Sequence, residues 1–182
     1  MADIAFETFR RAEGVGHALR FVGNLAMEAK KQAPMISQKA KYALRALVAL
    51  ARAVPNEPQM ISEIAERQAI PKKFLEQILL DLKHHGLVAS RRGKAGGYLL
   101  LKDPAAISYG EVLRIVDGPL APLPCLSRIA YQRCVDCRDE DTCEIRRVFE
   151  RVAVATREVL DRTSIAEGLD EPIEKIVSQK RA

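Results

Sequence analysis

Residues 61–101 leave few ways to fold. Ile61-Ser-Glu-Ile-Ala-Glu-Arg67 has apolar residues at helical spacing, with Ser62 as the expected cap and Ile64 and Ala65 as the inner face. Ile70 closes a short turn, and Pro71 suits the first position of a second helix, where its missing N–H costs nothing. That helix is predicted to bury Phe74, Leu75, Ile78, Leu79 and Leu82 and to present Lys72, Lys73, Glu76 and Gln77 on its other face. Gly86 ends it. Leu87–Ser90 and Tyr98–Leu101 then read as strands around the turn Arg91-Arg-Gly-Lys-Ala-Gly-Gly97. Two short helices in tight succession, followed by a hairpin with a cationic tip, make a winged helix-turn-helix. The fold class expected is therefore mainly α, with a small β-hairpin wing.

Charge points the same way. From Lys83 to Lys102 there are five Lys or Arg and no acidic residue. Glycines let the hairpin tip approach a groove closely, and Arg91, Arg92 and Lys94 can meet phosphates or the minor groove. Tyr98, at the start of the second strand, joins them as a DNA-facing candidate. A glycine-rich cradle for a nucleotide is excluded by context, because this turn runs strand to strand and opens no helix N-terminus. The net charge of +5 and a pI near 9.1 fit an anionic partner, although solvated basic faces give the same totals. His84 and His85 end the second helix and are expected to face solvent or phosphate, not to ligate metal.

The remaining segments divide the 182 residues, of which 48% are apolar, into one domain with appendages. In residues 1–34 a loose apolar face is broken by Gly14, Gly16 and Gly23, so the segment reads as an extension, disordered or not translated, with Met35 an alternative start. Ser37 should cap a core helix running to about Ala53, completing a DNA-binding domain over 35–104. Ser108-Tyr-Gly-Glu111 is a capping box opening a helix to Val116, and Gly118, Pro119, Pro122 and Pro124 make a stiff loop. After Cys143 a long helix is expected, capped by Asp141 or Thr142. Its Ile145, Val148, Val152, Ala155 and Val159 form a two-heptad apolar seam, and Glu158 and Arg162 stand in favourable i,i+4 order. A seam on a single long helix points to a homodimer through residues 144–162. Residues 105–169 thus form a cysteine loop and dimerisation helix, and 170–182 a flexible tail. No apolar run approaches roughly 18 residues, and Arg10, Arg11, Arg20, Lys30 and Lys31 interrupt any secretory signal, so neither a membrane span nor export is expected and the cytoplasm is. No catalytic constellation and no small-molecule substrate site are apparent, which argues against an enzyme.

All four cysteines fall within nineteen residues, at Cys125, Cys134, Cys137 and Cys143. In a reducing compartment such a cluster points to metal rather than disulfides. Four thiolates satisfy a [4Fe–4S] or [2Fe–2S] cluster and also a structural zinc ion. Zinc ribbons pair two CxxC knuckles, and this chain has one, Cys134-Val-Asp-Cys137, which favours iron–sulfur. A thiol redox switch stays open, since Arg133 and Arg138 would lower a thiol pKa. A CxxC oxidoreductase would want a βαβ setting that the sequence does not offer.

Several motifs in combination, Lys41-Tyr-Ala-Leu-Arg45, Ile70-Pro-Lys-Lys-Phe-Leu-Glu-Gln77, Gly86-Leu-Val, Arg92-Gly-Lys-Ala-Gly-Gly-Tyr98 and Gly118-Pro-Leu120 followed by the cysteines, resemble the Rrf2 family of bacterial transcription regulators from Met35 to about Leu169. The resemblance implies a dimeric winged-helix DNA binder that senses iron, redox or nitric-oxide state through an iron–sulfur cluster beside the dimer helix. It implies that Glu76 and Gln77 read bases in the major groove and that Arg92 enters the minor groove. The family pattern has three cysteines and a fourth ligand of another kind. Cys137 and Cys143 fit its last interval, Cys125 fits the first cysteine with a lengthened gap, and Cys134 is additional. Arg146 and Lys41 stand where some members place a ligating His or acid, so all four thiols are the implied ligand set.

Overall fold

The computed structural model describes residues 36–170, apart from Lys94 and the side chain of Asp170. The expected N-terminal extension, the start at Met35, Lys94 at the wing tip and the tail from 171 to 182 lie outside the described residues. As expected, Ser37 accepts the Ala40 N–H at 3.0 Å and opens α1 (Gln38–Ala51). Its inner face is Ala40, Ala43, Ala46, Leu47 and Leu50, mostly small residues that let neighbouring helices approach closely. The Ser37 backbone N–H also donates to Asp117 at 2.9 Å, and its hydroxyl donates to the same carboxylate.

The helix-turn-helix forms with two adjustments. The first helix, α2 (Ile61–Arg67), buries Ile64 and Ala65 but is capped by Met60, and Ser62 lies inside its first turn. The cause is upstream. Gln59 exchanges backbone hydrogen bonds with Tyr98, at 2.8 and 2.9 Å, so the chain turns immediately afterwards and the Met60 carbonyl accepts from Glu63 and Ile64. Pro71 likewise caps α3 (Lys72–His84) from outside, in an extended conformation, instead of occupying the first turn. Leu75, Ile78, Leu79 and Leu82 are fully buried. Phe74, expected to join them, is 42% exposed, because one residue before Leu75 lies about 100° around the helix. It meets Tyr42 edge to face, with ring centroids 5.8 Å apart.

Gly86, with φ of +70°, ends α3, and Leu87 N–H returns to the Leu82 carbonyl at 2.9 Å. The wing is an antiparallel hairpin of β1 (Val88–Arg91) and β2 (Gly97–Leu100), with Val88 opposite Leu100 and Arg91 opposite Gly97. Helix α4 (Tyr109–Asp117) starts where expected, with Ser108 Oγ accepting from Glu111 N–H at 3.1 Å. Only this half of the capping box forms, since the Glu111 carboxylate pairs with Lys102 at 2.9 Å. After the loop comes α5 (Glu144–Arg162) and a single turn, α6 (Glu167–Asp170).

The chain then returns to the core, which the sequence did not announce. Ile165 is fully buried and its N–H donates to the Ile107 carbonyl at 2.8 Å, while Tyr109 N–H donates to Thr163. Arg114 pairs with Asp161 at 2.7 Å, holding α4 against α5. Among the described residues no helix is long and apolar enough to cross a membrane.

Gly97 is the tightest joint of the wing. A Cβ there would stand 2.3 Å from the Gln59 carbonyl oxygen, a backbone atom that cannot swing away. Gly97→Ala is expected to part the wing from Gln59 and destabilise the fold by about 1–3 kcal/mol. Chemical unfolding monitored by circular dichroism checks this, and an unchanged midpoint would refute it.

Candidate DNA-reading face and cysteine loop

The burial of one face of α3 leaves the other outward. Lys72, Lys73, Glu76 and Gln77 are all exposed on its first two turns, so the structure brings these four together on one surface. Two polar ties fix how this surface sits. Lys83 Nζ donates to Ser90 Oγ at 2.7 Å, joining the end of α3 to β1, and Lys39 pairs with Asp81 at 2.7 Å, joining α1 to α3. The turn before α3 is braced by Arg45, whose guanidinium donates to the Gln68 carbonyl and lies 6.0 Å from the Tyr42 ring centroid. The sequence marks Arg45 only as part of a motif, since its partner is 23 residues away.

Arg91 and Arg92 are exposed on the wing beside this helix. Tyr98 differs from them. It is half-buried, packs against the core and carries the backbone bridge to Gln59, so it sits at the base of the wing. His84 and His85 are exposed, and His85 Nδ1 lies 2.8 Å from the Asp81 carbonyl.

The cysteine loop is built on a small apolar cluster of its own. A single 3₁₀ turn, Pro124–Leu126, buries Cys125 and Leu126 against Ala153 of α5, and Cys134, Leu123 and Ala121 pack around them. Cys134, Cys137 and Cys143 are half-buried, and all four cysteines are free thiols. Partial burial pushes the Cys134 pKa above its ordinary value, and hydrogen bonding to Cys125 and the nearby Cys137 and Asp136 push the same way. The arginines expected to lower a thiol pKa do not do so at Cys134. Arg133 directs its guanidinium to the carbonyls of Cys137 and Arg138, at 3.2 and 3.0 Å, and so is used in shaping the loop backbone.

Cys143 has a role that the spacing hid. It is the N-cap of α5, its Sγ accepting from the Arg146 N–H at 3.4 Å. Neither expected cap serves: the Thr142 hydroxyl donates to Asp139 at 2.9 Å, and the Asp141 N–H donates to the same carboxylate at 3.1 Å. Those bonds hold the Asp139 carboxyl below its usual pKa. Arg146 spans the loop, with Nη1 donating to the Cys125 carbonyl at 2.9 Å and to Glu140 at 2.5 Å. Four sulfurs in one short loop are the donor set that soft metals and iron–sulfur clusters take. Among the described residues, however, no three His, Cys, Asp or Glu side chains stand where they could hold a single ion. In donor chemistry the loop fits such a group, and Cys134 already packs against the buried Cys125.

Helix α5 carries its apolar seam outward. Ile145, Val148, Val152 and Val159 are 62%, 59%, 47% and 64% exposed, and Ala153 is the residue it buries. An apolar stripe of this length is more than scattered surface hydrophobics account for. The Glu158–Arg162 pairing expected along this helix is not among its described ion pairs, which are Arg114–Asp161 and Arg146–Glu140.

Because Arg146 joins the two ends of the loop, Arg146→Ala should loosen it. Losing two charge-assisted hydrogen bonds, both less than a third exposed, is expected to destabilise the loop by about 1–3 kcal/mol. Limited trypsin cleavage at Arg133 and Arg138 should then outpace cleavage elsewhere, and an unchanged digestion pattern would exclude the clamp.

Comparison with known proteins places this geometry among regulators. A family model described as "Rrf2: Iron-dependent Transcriptional regulator" matches residues 36–171. The chain is 53% identical over 138 residues to the rrf2-like HTH-type transcriptional regulator of Rhodobacter capsulatus, covering 74% of this chain and 92% of that one. Among solved structures it is similar to CymR, the global cysteine regulator of Bacillus subtilis, at 30% identity and TM-score 0.61, over 72% of this chain and 93% of the other. It is also similar to the IscR of T. potens, at 28% identity and TM-score 0.58, over 81% of this chain and 90% of that chain.

Proposed function

The chain belongs to the Rrf2 family of transcriptional regulators, and on that premise we propose that it works as a cytoplasmic homodimer whose cysteine loop adjusts its affinity for a double-stranded operator. Family members of this kind regulate transcription and are not enzymes. In this reading residues 35–104 read DNA, and residues 105–169 carry the sensor and the dimer helix. The observation that carries the reading is the outward face of α3, where Lys72, Lys73, Glu76 and Gln77 stand exposed, together with the exposed Arg91 and Arg92 of a wing tied to the same helix through Lys83 and Ser90. Lys72 and Lys73 suit phosphates, Glu76 and Gln77 suit base edges, and Arg91, Arg92 and Lys94 suit phosphates or the minor groove. Tyr98 supports these contacts from the wing base. The exposed seam of α5 suits a second copy of the chain, because two-fold pairing would set two recognition helices against half-sites about 34 Å apart.

Selection of binding sequences from random DNA by the purified protein tests both claims. Recovered sites should be two-fold symmetric, and asymmetric sites would overturn the dimer. Arg92→Ala should weaken binding to such a site and lower the salt slope by about one. A slope equal to that of the parent protein would remove the wing from the interface.

The loop's role is proposed as iron-based. Cys125, Cys134, Cys137 and Cys143 are the residues that would hold an iron–sulfur cluster, which when bound supplies chemistry that responds to iron, oxidants and nitric oxide. The description of the family as iron-dependent and the four-sulfur donor set support this. The chain's own part is to present sulfur from both ends of one loop, with Arg146 closing it and Ala153 seating it on α5. Coupling of loop to operator of about 1–3 kcal/mol would change affinity 5- to 150-fold. A thiol switch without metal is the second reading, favoured by the packing of Cys134 against the cluster that holds Cys125. Iron and sulfide analysis of anaerobically purified protein separates the two. Cys134→Ser should lose bound iron, whereas iron-free parent protein would leave the thiol reading alone standing.

A further inference from the structure

A second feature lies apart from the thiols and from the DNA-reading face. Between the end of α4, the loop over 119–129 and α5 is a cavity of about 190 Å³. Its apolar lining includes Leu120, Ala121 and Leu126, and three arginines line it too, one from each of the three segments: Arg114, Arg128 and Arg157. Asp161 also lines it and neutralises Arg114 at 2.7 Å. Arg128 and Arg157 have no ion-pair partner among the described residues. The four charged groups therefore leave two positive charges facing one small space. Ser127, only 8% exposed, lines the same space. Its Oγ accepts from Ala130 N–H at 3.0 Å, so its hydroxyl proton remains available to a ligand.

We infer that this cavity is a binding site for a small organic carboxylate. The guanidinium fork matches the two oxygens of a carboxylate, and the same fork matches phosphate. The apolar lining separates them, because it rewards an anion with a hydrocarbon body and offers nothing to inorganic phosphate. Size limits the class further. Pockets for drug-sized ligands are roughly 300–1,000 Å³, so this one takes an acid of a few carbons bearing one or two carboxylates. Such an acid would be held from α4, α5 and the loop leading out of Cys125 at once, and so would stiffen the joint between the helix-turn-helix and the long helix. An effect on operator affinity rests on the regulatory reading above. Binding itself does not, and it can be measured without DNA.

The test is thermal unfolding of the full chain at constant ionic strength with pyruvate, succinate, glutarate or malate, against inorganic phosphate and chloride. At about ten times its dissociation constant, at least one of the acids should raise the midpoint by about 3–6 °C over chloride. The Arg128→Gln/Arg157→Gln variant should lose that rise. Arg128→Gln alone, a change in an exposed loop, should reduce it should the double variant fail to fold. The site is overturned by no rise with any of the four acids, or by an equal rise in the variants. An equal rise with phosphate overturns the assignment to carboxylates.

Discussion

One buried face of one helix sets the orientation of nearly everything else. Leu75, Ile78, Leu79 and Leu82 of α3 are sealed in the core, and fully burying side chains of that size is worth about 1.5–3 kcal/mol each. The helix cannot rotate without exposing several of them together. Lys72, Lys73, Glu76 and Gln77 face outward for that reason and need no contacts of their own to do so. The ties to α1 through Lys39 and Asp81, and to the wing through Lys83 and Ser90, set the inclination of a helix whose rotation is already fixed. Each tie is exposed or partly exposed and weak alone, so these contacts refine an arrangement that hydrophobic burial imposes.

The elements built from local signals are legible in the amino-acid sequence. Ser37, Ser108 and Gly86 act at the positions their residue types announce, because a cap or a left-handed residue is a property of a few neighbouring residues. What the sequence conceals depends on contacts distant along the chain. Ser62 resembles a cap, yet the Gln59–Tyr98 bridge starts the turn ahead of it. Phe74 resembles a core residue, yet Tyr42 meets it at the surface. Ile165 lies just past the helix expected over 144–162, where no local pattern marks it, yet the chain folds back and buries it. Periodicity within a segment cannot report a partner elsewhere in the chain.

The cysteine loop shows the same division more sharply. That its thiols belong together is plain from their crowding. How the loop divides their work is not. Cys125 is a core residue of a small cluster, Cys134 leans on it, and Cys143 spends its lone pair on the start of a helix. Arg146 stands at a position where the family resemblance places a histidine ligand, and here it clamps the loop instead.

The way α5 is anchored has a mechanical consequence. Its C-terminal end is pinned to the body of the protein by the Arg114–Asp161 ion pair, the Tyr109–Thr163 hydrogen bond and the burial of Ile165 just beyond it. Its N-terminal half is held by the cysteine loop, through Arg146 and Ala153. The 19 residues between make a rod about 28 Å long. Pivoting by about 5° at the pinned end would carry the far end through about 2.4 Å on that length. That is about the size of the helix shifts that switch subunit interfaces. The helix is thus one rigid rod, pinned to the winged domain at one end and seated on the cysteine loop at the other.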